Sequence, residues 1–239
     1  MGELLEADLL QVETVTAGYG ATMVLRDVSV DVGAGEIVAL LGRNGMGKTT
    51  LLRTVAGFVR PQTGRVMLGG KSLDGVAPYR VAQQSVCYVA QEQALFADMT
   101  VGENLRLGVA NDRLYQERLP QIEPHFPVLL QRLKQKAGTL SGGEQKMLLI
   151  SRAILARPRL MLLDEISEGL QPSVVDRLAG VLAAERQAHS TAMLLVEQNV
   201  AFAMSIADRF AVLTSGMVVE RGSTDDPAAV AKIEQHMKV

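Results

Sequence analysis

The run "GRNGMGKTT", Gly42 to Thr50, constrains this chain more than any other stretch. It follows the apolar run "EIVALL" directly and leads into Leu51, Leu52 and Val55, which share one face at helical spacing. A strand that turns through glycines into a helix can curl so that successive N–H groups point inward, a path that side chains would block. The run matches the pattern G-x-x-x-x-G-K-[ST] in the strand-to-helix context its chemistry requires. Gly42, Arg43, Asn44, Gly45, Met46, Gly47, Lys48, Thr49 and Thr50 therefore form a candidate phosphate cradle. Lys48 would reach the β- and γ-phosphates, Thr49 would ligate Mg²⁺, and the helix start would add its dipole and free N–H donors. A glycine-rich turn with a solvated lysine is the competing reading, and a chance match is on the order of one in a hundred before context is counted.

Strands and helices alternate after this run. "RDVSVDV" alternates so that Val28, Val30 and Val32 share one face, and "RLMLLDE" and "TAMLLVEQ" are continuous apolar runs of the kind found in parallel sheets covered on both sides. This order predicts an α/β fold. Around "RPQTGRVMLGGKSL" a hairpin is expected at Thr63-Gly64. The stretch from Thr100 to about Lys136 reads as helical, opened by a capping box of Thr100 and Glu103. The tail predicts a closing helix with Pro227 in its first turn and Val230, Ile233 and Met237 facing inward.

Two further stations carry chemistry. Asp164 and Glu165 end the apolar run "RLMLLDE", where a carboxylate beside a phosphate site can hold Mg²⁺ through water and its neighbour can polarise an attacking water. Asp164 takes the metal role and Glu165 the general-base role. In "LSGGEQKMLLISRAILARP", Ser141 and Glu144 form a second capping box, a common helix start. A cap alone does not require Gly142 and Gly143, which leave bare N–H groups at the helix start, the way an anion is received.

A phosphate loop, then "LSGGE", then an apolar strand ending in Asp-Glu resembles the nucleotide-binding subunit of an ATP-binding-cassette (ABC) transporter, over nearly the whole chain. The resemblance implies a P-loop NTPase core of RecA-like type with an antiparallel β layer, about residues 1–95 and 146–239, and a small helical lobe at about 96–145. It implies ATP and Mg²⁺ as ligands and ATP hydrolysis as the activity. Tyr19 falls where the family stacks a ring on adenine, and Gln91 matches its hinge glutamine, which touches Mg²⁺ or the attacking water. Ser167, Glu168, Gly169 and Leu170 match the loop that contacts the opposite subunit. The implied assembly is a head-to-tail pair, a homodimer or one copy with a sister ATPase. Each ATP then lies between one chain's phosphate loop and the other chain's Ser141, Gly142, Gly143 and Glu144. Transmembrane permease subunits would convert closure and opening of the pair into transport, with a solute-binding protein as an indirect partner.

The sequence departs from the family pattern in places. Gln198 stands where most members carry a histidine; it can hydrogen-bond a phosphate oxygen but bears no charge, a difference of roughly 1 kcal/mol or about fivefold to tenfold in rate. Gln198 thus joins Glu165, Gln91 and Lys48 as a candidate catalytic residue, with Glu165 carrying more of the effect. Ile166 replaces the usual proline, with no functional change assigned, and "EQALFADMT" differs from close relatives where the membrane partner would be met. "LLVEQNV", "AGTLSGGEQKML" and "HFPVLLQR" together are most similar to an ATPase subunit of branched-chain (hydrophobic) amino acid importers, and secondarily to the urea-importer subunit.

Composition narrows the rivals. With 239 residues, 48% hydrophobic, and a net charge of −2 whose basic residues are scattered, the chain can bury a large core and presents no footprint for nucleic acid. An acidic amino terminus and the lack of an apolar run of about 18 residues predict a cytosolic protein that reaches the membrane by docking, on the inner face. The single cysteine, Cys87, reads as a core thiol, and His125, His189 and His236 show no ligand spacing. A non-transport ABC ATPase of the repair or translation type would need a coiled-coil insertion or a second cassette. A small-molecule kinase would leave "LSGGE" unexplained.

Overall fold

A computed structural model describes residues 9–91 and 95–237. The acidic residues 1–8 and residues 92–94 of "EQALFADMT" lie outside them. The amino-terminal runs form β1 (Leu10–Tyr19), β2 (Thr22–Val32), β4 (Thr63–Leu68) and the short β5 (Lys71–Ser72), paired antiparallel in the order β2-β1-β4-β5. A second sheet is built from β3 (Ile37–Leu41), β6 (Val86–Val89), β7 (Leu160–Asp164), β8 (Ala192–Glu197), β9 (Arg209–Thr214) and β10 (Met217–Ser223). Its order is β10-β9-β3-β8-β7-β6, parallel throughout except for β10, which returns antiparallel on β9.

The continuous apolar runs are explained by this second sheet, because both of its faces are covered. Ile37, Ala39 and Leu41 of β3 pack into one core, and Val38 and Leu40 into another. The same alternation divides Met161 and Leu163 of β7 from Leu160 and Leu162. One core lies against helix α1 (Lys48–Val55) and the antiparallel sheet, whose Val28, Val30 and Val32 are all buried as their spacing predicts. The other holds most of the helices. Side chains of period 2 on a strand face alternate sides, so both series must be apolar.

Three local expectations are corrected. The hairpin turn is Gly69-Gly70, between Leu68 and Lys71, where both glycines have positive φ (52° and 77°) as a two-residue hairpin loop demands. Thr63-Gly64 instead begins β4. Gly64 (φ +80°) is needed there for close approach, since a Cβ would stand 2.4 Å from the carbonyl oxygens of Glu13 and Thr14 on the neighbouring strand. The helical stretch after Thr100 is broken into α3 (Val101–Arg106), α4 (Asp112–Arg118) and α5 (Pro127–Gln131), with a 3₁₀ turn at Leu119–Ile122 carrying Pro120 and a second at Ala137–Thr139. Prolines lacking an N–H start new turns rather than extend old ones. In the closing helix α9 (Ala229–Met237), Ala229 and Ile233 are buried and Val230 is exposed, one helical step of about 100° off the inward stripe. Pro227 precedes that helix.

The Thr100–Glu103 capping box forms as expected, with the Glu103 carboxylate accepting from the Thr100 N–H at 2.7 Å. The remaining helices are α2 (Pro78–Ala82), α6 (Gly142–Ala156), α7 (Pro172–His189) and α8 (Val200–Ile206). Helix α6 runs across residue 145, the expected edge of the helical lobe, and sends Met147 through Ile150 into the core. No helix among the described residues is long and apolar enough to cross a membrane.

Candidate active site

The glycine-rich run lies between β3 and α1. Gly45 and Gly47 adopt left-handed backbone (φ +80° and +104°), and Gly47 is the residue that caps α1. The loop is braced from outside by the β9–β10 turn: the Gly216 N–H donates to the Met46 carbonyl at 3.2 Å. Asn44, Gly45, Gly47, Lys48, Thr49, Gln91 and Glu165 line a cleft of about 260 Å³ over the start of α1.

Strand alternation explains what meets this cleft. Asp164 shares the face of Leu160 and Leu162, the face toward α1, and the Thr49 hydroxyl accordingly donates to its Oδ1 at 3.0 Å. Asp164 is fully buried, and that burial pushes its carboxyl pKa up, against the bonds it receives. Glu165 follows with positive φ (47°), a left-handed conformation that costs a non-glycine residue about 1–3 kcal/mol. Its side chain returns to the phosphate loop: Oε1 lies 2.9 Å from Lys48 Nζ, and Oε2 accepts from Gln91 Nε2 at 3.0 Å. Lys48, itself buried, also donates to the carbonyls of Gly42 (2.8 Å) and Arg43 (3.0 Å). Gln91 additionally donates to Glu168 of the loop after β7. Lys48, Thr49, Gln91, Asp164, Glu165 and Glu168 thus come together from three separate segments: the start of α1, the loop after β6, and the end of β7 with the loop that follows it.

The other sequence candidates lie outside these bonds, although Gly142, Gly169 and Leu170 line a cavity together with Gln91 and Glu168. Tyr19 is 47% exposed, with the Arg53 guanidinium 6.0 Å from its ring centre. Gln198 is exposed just beyond β8. Ser141 and Gly142 are exposed at the start of α6, where Ser141 accepts from the Glu144 N–H and the Glu144 carboxylate accepts from the Ser141 N–H at 3.0 Å. An ion pair to Arg132 at 2.9 Å holds that carboxylate, and a Cβ on Gly142 would meet nothing within 4 Å. The helix start is therefore pre-formed and open to solvent. Ser167 is buried, held by Glu197, which accepts from its N–H (2.9 Å) and its hydroxyl (2.8 Å).

Three polar residues of this region were not singled out by sequence. Tyr88 donates its hydroxyl to Asp164 Oδ2 at 3.0 Å, and Lys146 and Glu197 bond the main chain of neighbouring loops. For Tyr88 a signal existed: it alternates with Cys87 and pairs with Leu162, on the face that Asp164 shares. Cys87 points to the opposite core, where burial pushes its thiol up to about 11.

The donor set suits Mg²⁺. One buried carboxylate and one hydroxyl, all oxygen, beside a phosphate cradle is how this ion is bound together with substrate phosphates. Among the described residues no group of three or more His, Cys, Asp or Glu is placed to hold a metal by protein alone. The arrangement can bind a triphosphate on main-chain N–H groups, neutralise it with Lys48, and present Glu165 to a water.

Known proteins bear on this geometry. The family model described as ABC transporter matches residues 25–168. The chain is 39% identical over 213 residues to the high-affinity branched-chain amino acid transport ATP-binding protein BraG of Pseudomonas aeruginosa, covering 88% of this chain and 91% of that one. It is 32% identical over 229 residues to the probable branched-chain amino acid transport ATP-binding protein LivF of Archaeoglobus fulgidus, covering 95% and 97%. A solved ATP-binding subunit of an ABC transporter superposes with a TM-score of 0.82 at 30% identity, over 94% of both chains.

Proposed function

The chain belongs to the ABC transporter family as an ATP-hydrolysing subunit, and from that premise we propose that it powers a membrane importer of branched-chain (hydrophobic) amino acids. The observation that carries the chemistry is the convergence of Lys48, Thr49, Asp164, Glu165 and Gln91 over one helix start. The solute reading is supported by likeness to BraG and LivF along nearly the full chain.

In this reading Gly42 to Thr50 wrap the phosphates, and Lys48 leaves Glu165 for the β- and γ-oxygens. Thr49, Asp164 and Gln91 hold Mg²⁺, which when bound neutralises charge building on the phosphates. Tyr88 fixes Asp164 from behind. Glu165, released from Lys48, takes a proton from the water that attacks in line, while Gln198 hydrogen-bonds the γ-phosphate. Tyr19 stacks on adenine. The second half of each site comes from a companion ATPase subunit, whose Ser141, Gly142, Gly143 and Glu144 face the triphosphate, with Ser167 to Leu170 lying between the two chains. The permease converts the closing and opening of that pair into import, and a solute-binding protein delivers the cargo to it; the chain itself sits at the inner membrane face through the permease. A urea importer is the second choice for cargo.

The test is to purify the chain with its native membrane subunits and place the complex in vesicles. Uptake of leucine, isoleucine or valine that requires ATP, in preference to urea, is the expected result. ATP-driven uptake of urea with none of these amino acids would replace the solute reading, and phosphate transfer to a small acceptor would overturn the transport reading.

A further inference from the structure

The first turns of α6 carry a cation that the phosphate chemistry does not use. Lys146 is half-buried, and its Nζ donates to the main-chain carbonyls of Gln91 (3.2 Å) and Glu165 (3.4 Å). Those carbonyls belong to different loops, one after β6 and one after β7, and the lysine comes from neither. It comes from the helix that begins at Ser141. One ammonium thus ties α6 to the two loops that leave the paired strands β6 and β7.

Anchoring α6 does not require this contact. The helix already buries eight of its residues, from Met147 to Leu155. An ammonium at this place is costly, because burial disfavours its charge and lowers its pKa; Glu168, Glu197, Asp164 and Glu165 oppose that shift. Three N–H donors suit it to hold two carbonyls at once and still face those carboxylates. Both carbonyls flank working side chains: the Gln91 amide bonds Glu165, and the Glu165 carboxylate bonds Lys48. A shift of either peptide therefore re-aims the carboxylate, and misplacement by about 1 Å can cost on the order of 10²-fold in rate.

We propose that Lys146 is a positioning residue for ATP hydrolysis, holding the main chain of Gln91 and Glu165 in register only while the start of α6 is docked on them. The aim of Glu165 is thereby tied to the seating of the Ser141–Glu144 turn, on the same chain. This inference rests on Glu165 as the general base.

Lys146→Met keeps length and removes both donors and charge. Single-turnover cleavage at saturating Mg-ATP should fall about 10- to 100-fold, with KM for ATP and melting temperature unchanged. Lys146→Arg, which keeps donors, should recover most of the rate. In a Glu165→Gln background Lys146→Met should cost nothing further, because it acts through that carboxylate. Wild-type cleavage by Lys146→Met overturns the proposal. So does a further loss of equal size in the Glu165→Gln background, or a rate loss that follows melting temperature and is not recovered by arginine. A Glu165→Gln chain that cleaves at the wild-type rate removes the base reading itself; an inactive Glu165→Gln chain beside a fully active Lys146→Met chain removes only the positioning role.

Discussion

Glu165→Gln should slow ATP hydrolysis by about 10²- to 10⁴-fold, the range for loss of a general base, while ATP still binds. The substitution preserves shape and leaves an oxygen to accept from Gln91, so the local fold survives. It removes the charge that can take a proton. It also removes the charge paired with Lys48, so the lysine meets less competition for the phosphates. Both effects act in the same direction: ATP is bound, is not cleaved, and accumulates in a closed pair. Gel filtration with ATP should show this variant as a dimer. Hydrolysis at the wild-type rate would refute the assignment of Glu165.

Lys48→Ala should abolish tight ATP binding. Charge-assisted hydrogen bonds contribute about 1.5–3 kcal/mol each, and two phosphates are at stake, so the dissociation constant should rise by about 10²- to 10⁴-fold. A second consequence follows from burial. Lys48 and Glu165 have side-chain exposures of 3% and 7%, and removing one partner strands the other charge with only Gln91 to bond it. The nucleotide-free variant should therefore melt several degrees lower, and adding Glu165→Gln should recover much of that loss without restoring ATP binding. Titration with a fluorescent nucleotide and a melting curve check both parts; unchanged affinity would contradict the first, and an unchanged melting temperature the second.

What the sequence revealed, and what it hid, divides along chain distance. The phosphate loop, both capping boxes and the two-sided strands were legible because each depends on residues within a few positions of one another. The alternation that places Val28, Val30 and Val32 in one core is such a case. The β1–β4 contact was not legible, because Gly64 reads as a turn until the strand that crowds it, at Glu13 and Thr14, is in place. The breaks in the helical stretch were signalled by Pro120 and Pro127, which a single helical stretch from Thr100 to about Lys136 runs through. Within the site, Tyr88, Lys146 and Glu197 were missed because their partners lie 76, 55 and 30 residues away in the chain. Each would pass for an ordinary strand or helix residue without the register of β6, β7 and β8.

The shared site is tested most directly by mixing two chains that are each inactive. Lys48→Ala disables one chain's phosphate loop, and Ser141→Arg places a bulky side chain on the exposed helix start of the other, at a cost in stability of about 1 kcal/mol for the lost cap. In a head-to-tail pair the mixed dimer brings an intact loop opposite an intact Ser141 turn at one of its two sites. An equal mixture should then recover up to about a quarter of wild-type ATP hydrolysis, since half the pairs are mixed and each holds one sound site. A mixture as inactive as its components, although the chains associate, would mean that each triphosphate is served by one chain alone.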